Sequence, residues 1–318
     1  MSGSCQKFDG LDRVALPPVP LHLAIGMFDG VHLGHRAVID MAVQSARRES
    51  GIAAVLTFWP HPSALFRPEN PTRLIIDTAT KVRLLASAGV DAVIMQHFTK
   101  ELACIEAEDF LPYLKRFLPK LKTVYVGENW RFGRGRRGDI HTLLAEASKH
   151  ELVVMSSSRI NENGQPISST RIRSCLEAGA VEEANQLLGY TYFAEGTVQP
   201  GKRLGRKLGF PTLNIAWEPE LRPRFGVYAV QVTGEKADGV FAAVANYGLR
   251  PTVEQSTQPR LEIHLLGDCP FGAGDEIKVS WLRFLRPEKK FAGVEQLQAQ
   301  IAEDRSTAAA YFAARSKV

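Results

Sequence analysis

The 318-residue chain is 45% hydrophobic and 23% charged, the make-up of a globular protein with a full core, and its length favours two domains. No run approaches the roughly twenty apolar residues that span a bilayer. Residues 1–20 lack the basic start and apolar run of a secretion signal, and Cys5, Cys104, Cys175 and Cys269 form no Cys-x-x-Cys pair, so the expectation is a soluble cytoplasmic protein with reduced thiols. The net charge of +5 gathers in two glycine-rich loops, around Arg131–Arg137 and 202–207. A nucleic-acid binder more often carries a basic stripe with interleaved aromatics, so the charge points to phosphorylated small molecules, not to nucleic acid or a membrane surface.

In chain order, residues 1–20 read as a loosely held arm ending at Pro17-Pro18-Val19-Pro20. Apolar runs at 21–25, 53–58, 92–97, 123–126 and 152–156 then alternate with helical patterns near 36–49, 80–88, 107–118 and 140–149. This alternation predicts a Rossmann-like α/β domain with a parallel sheet, in which both faces of each strand are covered. Ligands of such sheets bind at the carboxyl ends of the strands. Three loops follow predicted strands and converge there. The first is Gly26-Met27-Phe28-Asp29-Gly30-Val31-His32-Leu33-Gly34-His35, a glycine-rich turn opening a helix, which makes an anion site from unpaired N–H groups and the helix dipole. The second holds Trp59, Pro60, His61 and Pro62; the third runs from Gly127 through Asn129 to Gly133. Further on, Ser168-Ser169-Thr170-Arg171-Ile172-Arg173 looks like a second phosphate cradle at a helix start.

A short helix at 182–188 and a linker at Gly189-Tyr190 precede a change of texture. Short strands with Gly and Pro turns follow, at 194–198, 227–232, 239–245, 260–265 and 276–284. They predict a small antiparallel β-barrel, closed off by a helix at 294–314 with Val294, Leu297 and Ile301 on one face. The loop 201–214 is rich in glycine and base but is not a Walker loop. Strand alternation puts Thr212 and Asn214 on one side, two neutral oxygens suited to a magnesium ion already held by ATP phosphates. Glu262 and His264 likewise share a face.

The His-x-Gly-His turn with Ile167-Ser168-Ser169-Thr170-x-x-Arg173 resembles the signature pair of nucleotidylyltransferases. The fuller text resembles the bacterial bifunctional riboflavin kinase/FMN adenylyltransferase (FAD synthetase) family, from about Leu21 to the C-terminus. The resemblance implies an adenylyltransferase domain at 21–188 and a riboflavin kinase domain at 189–318. It implies ATP contacts at Gly26, Phe28, Asp29, Gly30, His32, Gly34, His35, Ser169, Thr170 and Arg173 in the first domain. In the second it implies ATP contacts at Gly201, Lys202, Arg203, Gly205, Arg206 and Gly209. Flavin contacts are implied at Asn129, Pro60 and Pro62, metal contacts at Thr212 and Asn214, and a general base at Glu262. Catalysis is expected to rest on His32, His35, Arg173 and Glu262, with riboflavin, FMN and ATP as partners and Mg²⁺ as the metal.

Leu213 stands where the family has Ala, and Phe271 where it has Tyr. On those grounds one alternative stays open, a monofunctional FMN adenylyltransferase with an impaired kinase domain; a non-catalytic flavin-binding regulator is the alternative from another class, and intact phosphate loops in both domains argue against it. The sequence sets no oligomeric state.

Overall fold

The computed structural model describes residues 5–200, 209–249 and 259–315. The chain divides into two compact units, with the break between Ser169 and Thr170.

The first unit carries β1 (Gln6–Phe8), β2 (Leu21–Ile25), α1 (Leu33–Arg48), β3 (Ile52–Trp59), α2 (Pro62–Phe66) and α3 (Thr78–Ser87). It continues with β4 (Ala92–His97), α4 (Lys100–Ala103), α5 (Phe110–Phe117), β5 (Leu121–Gly127), α6 (Ile140–Lys149), β6 (Val153–Ser157) and the small hairpin β7 (Asn161–Glu162) and β8 (Gln165–Pro166). Six strands form one sheet in the order β1-β4-β3-β2-β5-β6, all parallel. The central strands are buried on both faces, as in Leu21–Ile25, which is why they read as nearly continuous apolar runs, with His22 the one polar residue of that strand. The order reverses between β2 and β5. A crevice therefore opens at the carboxyl ends of these two strands.

The arm expected at 1–20 is not loose throughout. Gln6–Phe8 pairs in parallel with Ala92–Ile94 and extends the sheet at its edge, and Leu11 is buried against the core. Backbone hydrogen bonding to an open strand edge makes this strand, with little help from its side chains. No apolar pattern announces it.

The second unit holds α7 (Ser169–Ala178, from Thr170 onward), α8 (Val181–Leu188) and six antiparallel strands. These are β9 (Phe193–Gln199), β10 (Leu213–Ile215), β11 (Gly226–Gly234), β12 (Ala237–Leu249), β13 (Pro259–Leu265) and β14 (Glu276–Pro287), followed by α9 (Val294–Arg315). They close in the order β10-β13-β12-β11-β14-β9, with β9 pairing back onto β10. Closure leaves no open edge. The interior is aromatic: Trp281, Tyr228 and Tyr247 are fully buried, with Trp281 and Tyr228 ring centroids 4.6 Å apart.

The compact break falls before Gly189, because α7 and α8 are tied to the barrel's own strands. Asn185 donates to Trp281 O at 2.8 Å and accepts from Tyr192 N at 2.7 Å, and Arg224 N donates to Leu176 O at 2.9 Å. Helix α9 also departs from expectation at one residue. Val294 is 58% exposed, and the helix buries Asp304 and Ala308, the continuation of the Leu297 and Ile301 stripe.

Candidate active sites

In the first unit the turn leaving β2 is shaped by packing. Phe28, Gly30 and Val31 all take left-handed backbone, with φ of 48°, 85° and 39°. Only the glycine does so without cost. The Phe28 ring is buried and folds back over Gly26, where a Cβ would stand 3.0 Å from it. Asp29 is buried as well, its two carboxylate oxygens accepting from Ile75 N at 3.0 and 3.2 Å. Phe28 and Asp29, read as ATP contacts, spend their side chains inside the fold and give the turn its form.

His32 is the N-cap of α1. Its Nδ1 accepts from His35 N at 3.2 Å, so in the neutral ring Nε2 carries the proton and donates. The His32 and His35 rings stack at 3.5 Å and 16°, and His35 meets Phe28 edge-on at 5.3 Å. A Cβ on Gly34 would stand 3.2 Å from the His32 ring, so this glycine lets the ring lie close to the backbone. Two stacked imidazoles thus sit at the N-terminus of α1, just beyond the carboxyl end of β2 at the switch point. The second motif begins there too: Ser169 Oγ donates to Asp29 O at 2.9 Å. Thr170 and Arg173 follow on α7. Arg171 is held elsewhere, its guanidinium bonding Glu183 on α8 at 3.1 and 2.6 Å.

Sequence reasoning passed over the support under this turn. Thr57 Oγ1 on β3 donates to Met27 O at 3.0 Å, and the buried Lys81 on α3 donates to the same carbonyl at 3.3 Å. A single lysine in an amphipathic helix carries no signal that it points inward.

In the loop after β3, the Trp59–Pro60 peptide is cis, His61 caps α2 by accepting from Ser63 N at 3.1 Å, and Pro62 is the first residue of that helix. Trp59 and Phe66 are 48% and 64% exposed, Trp59 beside His97 and Phe66 beside Phe98. Phe66 was not singled out from sequence, since one aromatic on a five-residue helix makes no pattern. Asn129 is exposed in the loop leaving β5. Trp130 and Phe132 stack on each other at 4.6 Å and pack on Phe110, so they fill the core. In the basic loop, Arg131 pairs with Asp139 and Arg134 with Glu106, each at 3.0 Å.

In the second unit, strand register assembles a polar row. Asn214 on β10 lies opposite Glu262 on β13, which lies opposite Asn246 on β12. Their strand neighbours Leu213, Ile215, Leu261, Ile263, Ala245 and Tyr247 are buried inside the barrel, so alternation turns the row to its outer face. Thr212 is exposed just before β10. Behind it, His264 Nδ1 donates to Pro211 O at 2.8 Å, which fixes the approach to the strand. Asn246 was missed because cross-strand register is not written in either strand alone. Gly201, Lys202, Arg203, Gly205 and Arg206 lie outside the described residues; Gly209 is exposed, with φ of 84°.

Both departures from the family text find interior places. Leu213 is buried in the barrel, opposite Ile263. Phe271 is buried edge-on to Phe241 at 5.4 Å, above Gly234, where a Cβ would come within 2.8 Å of its ring. Arg286 and Asp304 join β14 to α9 through two hydrogen bonds of 2.6 Å.

A parallel sheet with a glycine-rich turn and two histidines at its switch point, followed by a closed barrel with a carboxylate between two amides, defines a two-domain transferase of nucleotide phosphates. The family model described as FAD synthetase matches residues 18–171, and the model described as riboflavin kinase matches residues 188–312. Proteins described as bifunctional riboflavin kinase/FMN adenylyltransferase are similar along nearly the whole length. That of Escherichia coli (strain K12) is 36% identical, covering 91% of this chain and 92% of the relative. Those of Listeria monocytogenes and Bacillus subtilis are 36% and 34% identical, each again covered over 92% of its length. A crystal structure described as a macrolide-efflux protein from Streptococcus pneumoniae superposes with a TM-score of 0.83 at 26% identity, covering 96% of this chain and 98% of that one. Among the described residues of this chain no helix is long and apolar enough to cross a membrane. The chain belongs to the bifunctional riboflavin kinase/FMN adenylyltransferase family.

Proposed function

We infer that this chain makes both flavin nucleotides: the barrel domain phosphorylates riboflavin to FMN with ATP, and the sheet domain adenylylates FMN to FAD with release of pyrophosphate. The observation that carries the first-domain reading is the stacked His32–His35 pair at the start of α1, at the switch point of the sheet. Adenylyl transfer is a direct attack of the FMN phosphate on the ATP α-phosphorus. Charge grows on phosphoryl oxygens, so positioned donors do most of the work. His32 offers Nε2–H; His35, the N–H groups of the turn, Ser169, Thr170 and Arg173 complete the donor set. Gly26, Gly30 and Gly34 let the backbone approach. Phe28 and Asp29 act through the shape of the turn. Asn129 and the Pro60–Pro62 loop border the flavin, with the exposed rings of Trp59 and Phe66 as its stacking surface.

In the barrel, Glu262 is the base that takes the proton from the ribityl 5′-hydroxyl as it attacks the ATP γ-phosphorus. The amides of Asn214 and Asn246 flank it in the ladder. Among the described residues no group of three or more His, Cys, Asp or Glu gathers for a metal. The neutral oxygens of Thr212 and Asn214 suit an ion that arrives on ATP, since Mg²⁺ keeps several waters and substrate phosphates as ligands. When bound, Mg²⁺ supplies charge neutralisation on the phosphates. The basic residues of 201–209 serve the same phosphates. We take 21–188 and 189–318 as the two catalytic domains, the Ser169–Arg173 motif belonging to the first. Four free thiols suit the cytoplasm.

Incubation with riboflavin and Mg-ATP tests the reading. The wild type makes FMN and then FAD. His35→Ala loses FAD formation and keeps FMN formation. Glu262→Gln lowers riboflavin phosphorylation about 10²–10⁴-fold and keeps adenylylation of added FMN. Equal loss of both activities in a folded variant rejects two independent sites.

A further inference from the structure

Lys81 is a basic residue buried to 2% exposure in the first unit, on the inner face of α3. Burying an ammonium group is costly, and packing alone is better served by Leu or Met. Its location explains the lysine. Nζ lies 3.3 Å from Met27 O and 3.4 Å from Thr57 Oγ1, and Thr57 Oγ1 itself donates to Met27 O at 3.0 Å. Two donors from two elements therefore grip one carbonyl.

That carbonyl belongs to the peptide that leads into the turn. In a trans peptide C=O and N–H point in opposite directions from one rigid plane. With the Met27 carbonyl held by Lys81 and Thr57, the Phe28 N–H is fixed on the opposite side of the same plane. Phe28 is also the first left-handed residue of the turn, at φ 48°. Such a backbone persists only where its surroundings over-determine it. The segment before α3 adds a second fastening, because Asp29 is anchored to Ile75 N two residues before Asp77 caps the helix. Residues 75–81 thus hold the turn at both Met27 and Asp29.

We propose that Lys81 is a positioning residue for adenylyl transfer: it fixes the Met27–Phe28 peptide plane, and with it the backbone donors of the Gly26–Gly34 turn. This rests on the reading that the turn binds the ATP phosphates. Lys81 does not touch substrate. A displacement on the order of 1 Å in a donor set is enough to cost about 10²-fold in rate.

The test uses the full chain, with riboflavin phosphorylation as an internal control in the other domain. Lys81→Met keeps the length of the side chain and removes both donor and charge. The expected result is a fall of about 10- to 100-fold in kcat for FMN adenylylation, with kinase turnover unchanged and the variant still folded at the assay temperature. Lys81→Gln keeps an N–H donor and recovers part of the loss. Thr57→Val, which removes the other donor to Met27 O, gives a smaller fall that is not additive with Lys81→Met. Adenylylation within twofold of wild type in Lys81→Met overturns the proposal. So does a loss that follows a lowered melting temperature and disappears when the assay is run colder. If Lys81→Met does not fold, Lys81→Gln is judged by the same two criteria. His35→Ala is measured in parallel: if it too keeps full adenylylation, the phosphate reading of the turn has failed, whereas failure of the Lys81 variants alone leaves that reading standing.

Discussion

Replacing Asp304 by Ala should loosen the barrel domain and leave FMN adenylylation in place. Asp304 and Arg286 are 8% and 15% exposed, and both of their hydrogen bonds measure 2.6 Å. The pair clamps α9 onto the end of β14, and Gln300 Nε2 also donates to Asp304 at 3.1 Å. Removing one partner of a buried pair costs about 3–5 kcal/mol, chiefly because the other charge is left uncompensated. Here the guanidinium keeps one acceptor, Pro287 O at 2.9 Å, which argues for the lower end of that range. For a unit of this size each kcal/mol moves the melting temperature about 2–4 °C, so about 3 kcal/mol becomes roughly 6–12 °C. Scanning calorimetry resolves the barrel transition, and adenylylation of added FMN reports on the other unit. Asp304→Asn, which keeps the shape and one acceptor, should fall between Ala and wild type. A shift under about 1 °C for Asp304→Ala would mean that the bracket contributes no more than an exposed ion pair.

Arg173→Lys keeps the charge and loses the planar fork, so adenylylation should fall while riboflavin phosphorylation holds; wild-type rates at all ATP concentrations would refute a specific phosphate role. His22 is fully buried on β2, with Nδ1 3.1 Å from Tyr125 Oη, and burial, only partly countered by Glu49, lowers its pKa from the ordinary 6.5. The unfolded chain then binds the proton more readily, so this contribution to stability is complete above pH 6.5 and is lost as pH falls below it; urea unfolding between pH 7.5 and about 5.5 should show the slope, and His22→Gln should flatten it.

The parallel sheet could be read from the chain because both faces of its inner strands are covered. Ala92–Met95 is apolar without a break and Leu21–Ile25 is broken only by the buried His22, and helices of ordinary amphipathic spacing separate the strands. The edge strand Gln6–Phe8 was hidden for the converse reason. It is half exposed, three residues long and held by backbone pairing, none of which selects side chains. The same distinction applies to the sites. His32, His35 and Ser169 stand in short contiguous motifs whose spacing is that of one turn and one helix start. Asn246 and Lys81 reach their sites only through register and helix packing, with Glu262 sixteen residues from Asn246 and Met27 far from Lys81 in the chain.

This division has a physical cause. Groups that bind phosphate directly need backbone N–H groups in close approach, and close approach is produced locally by glycine, a cap and a helix start. A local device leaves a local text. Groups that hold those elements in place act from whatever strand or helix lies behind, so their partners are set by topology. Met27 is gripped from β3 and α3, and Glu262 is flanked from β10 and β12. Substitutions in the supporting set should therefore behave differently from those in the motifs. They should lower turnover in one domain's reaction without removing any group that touches substrate, and the reaction of the other domain should serve as the control for folding.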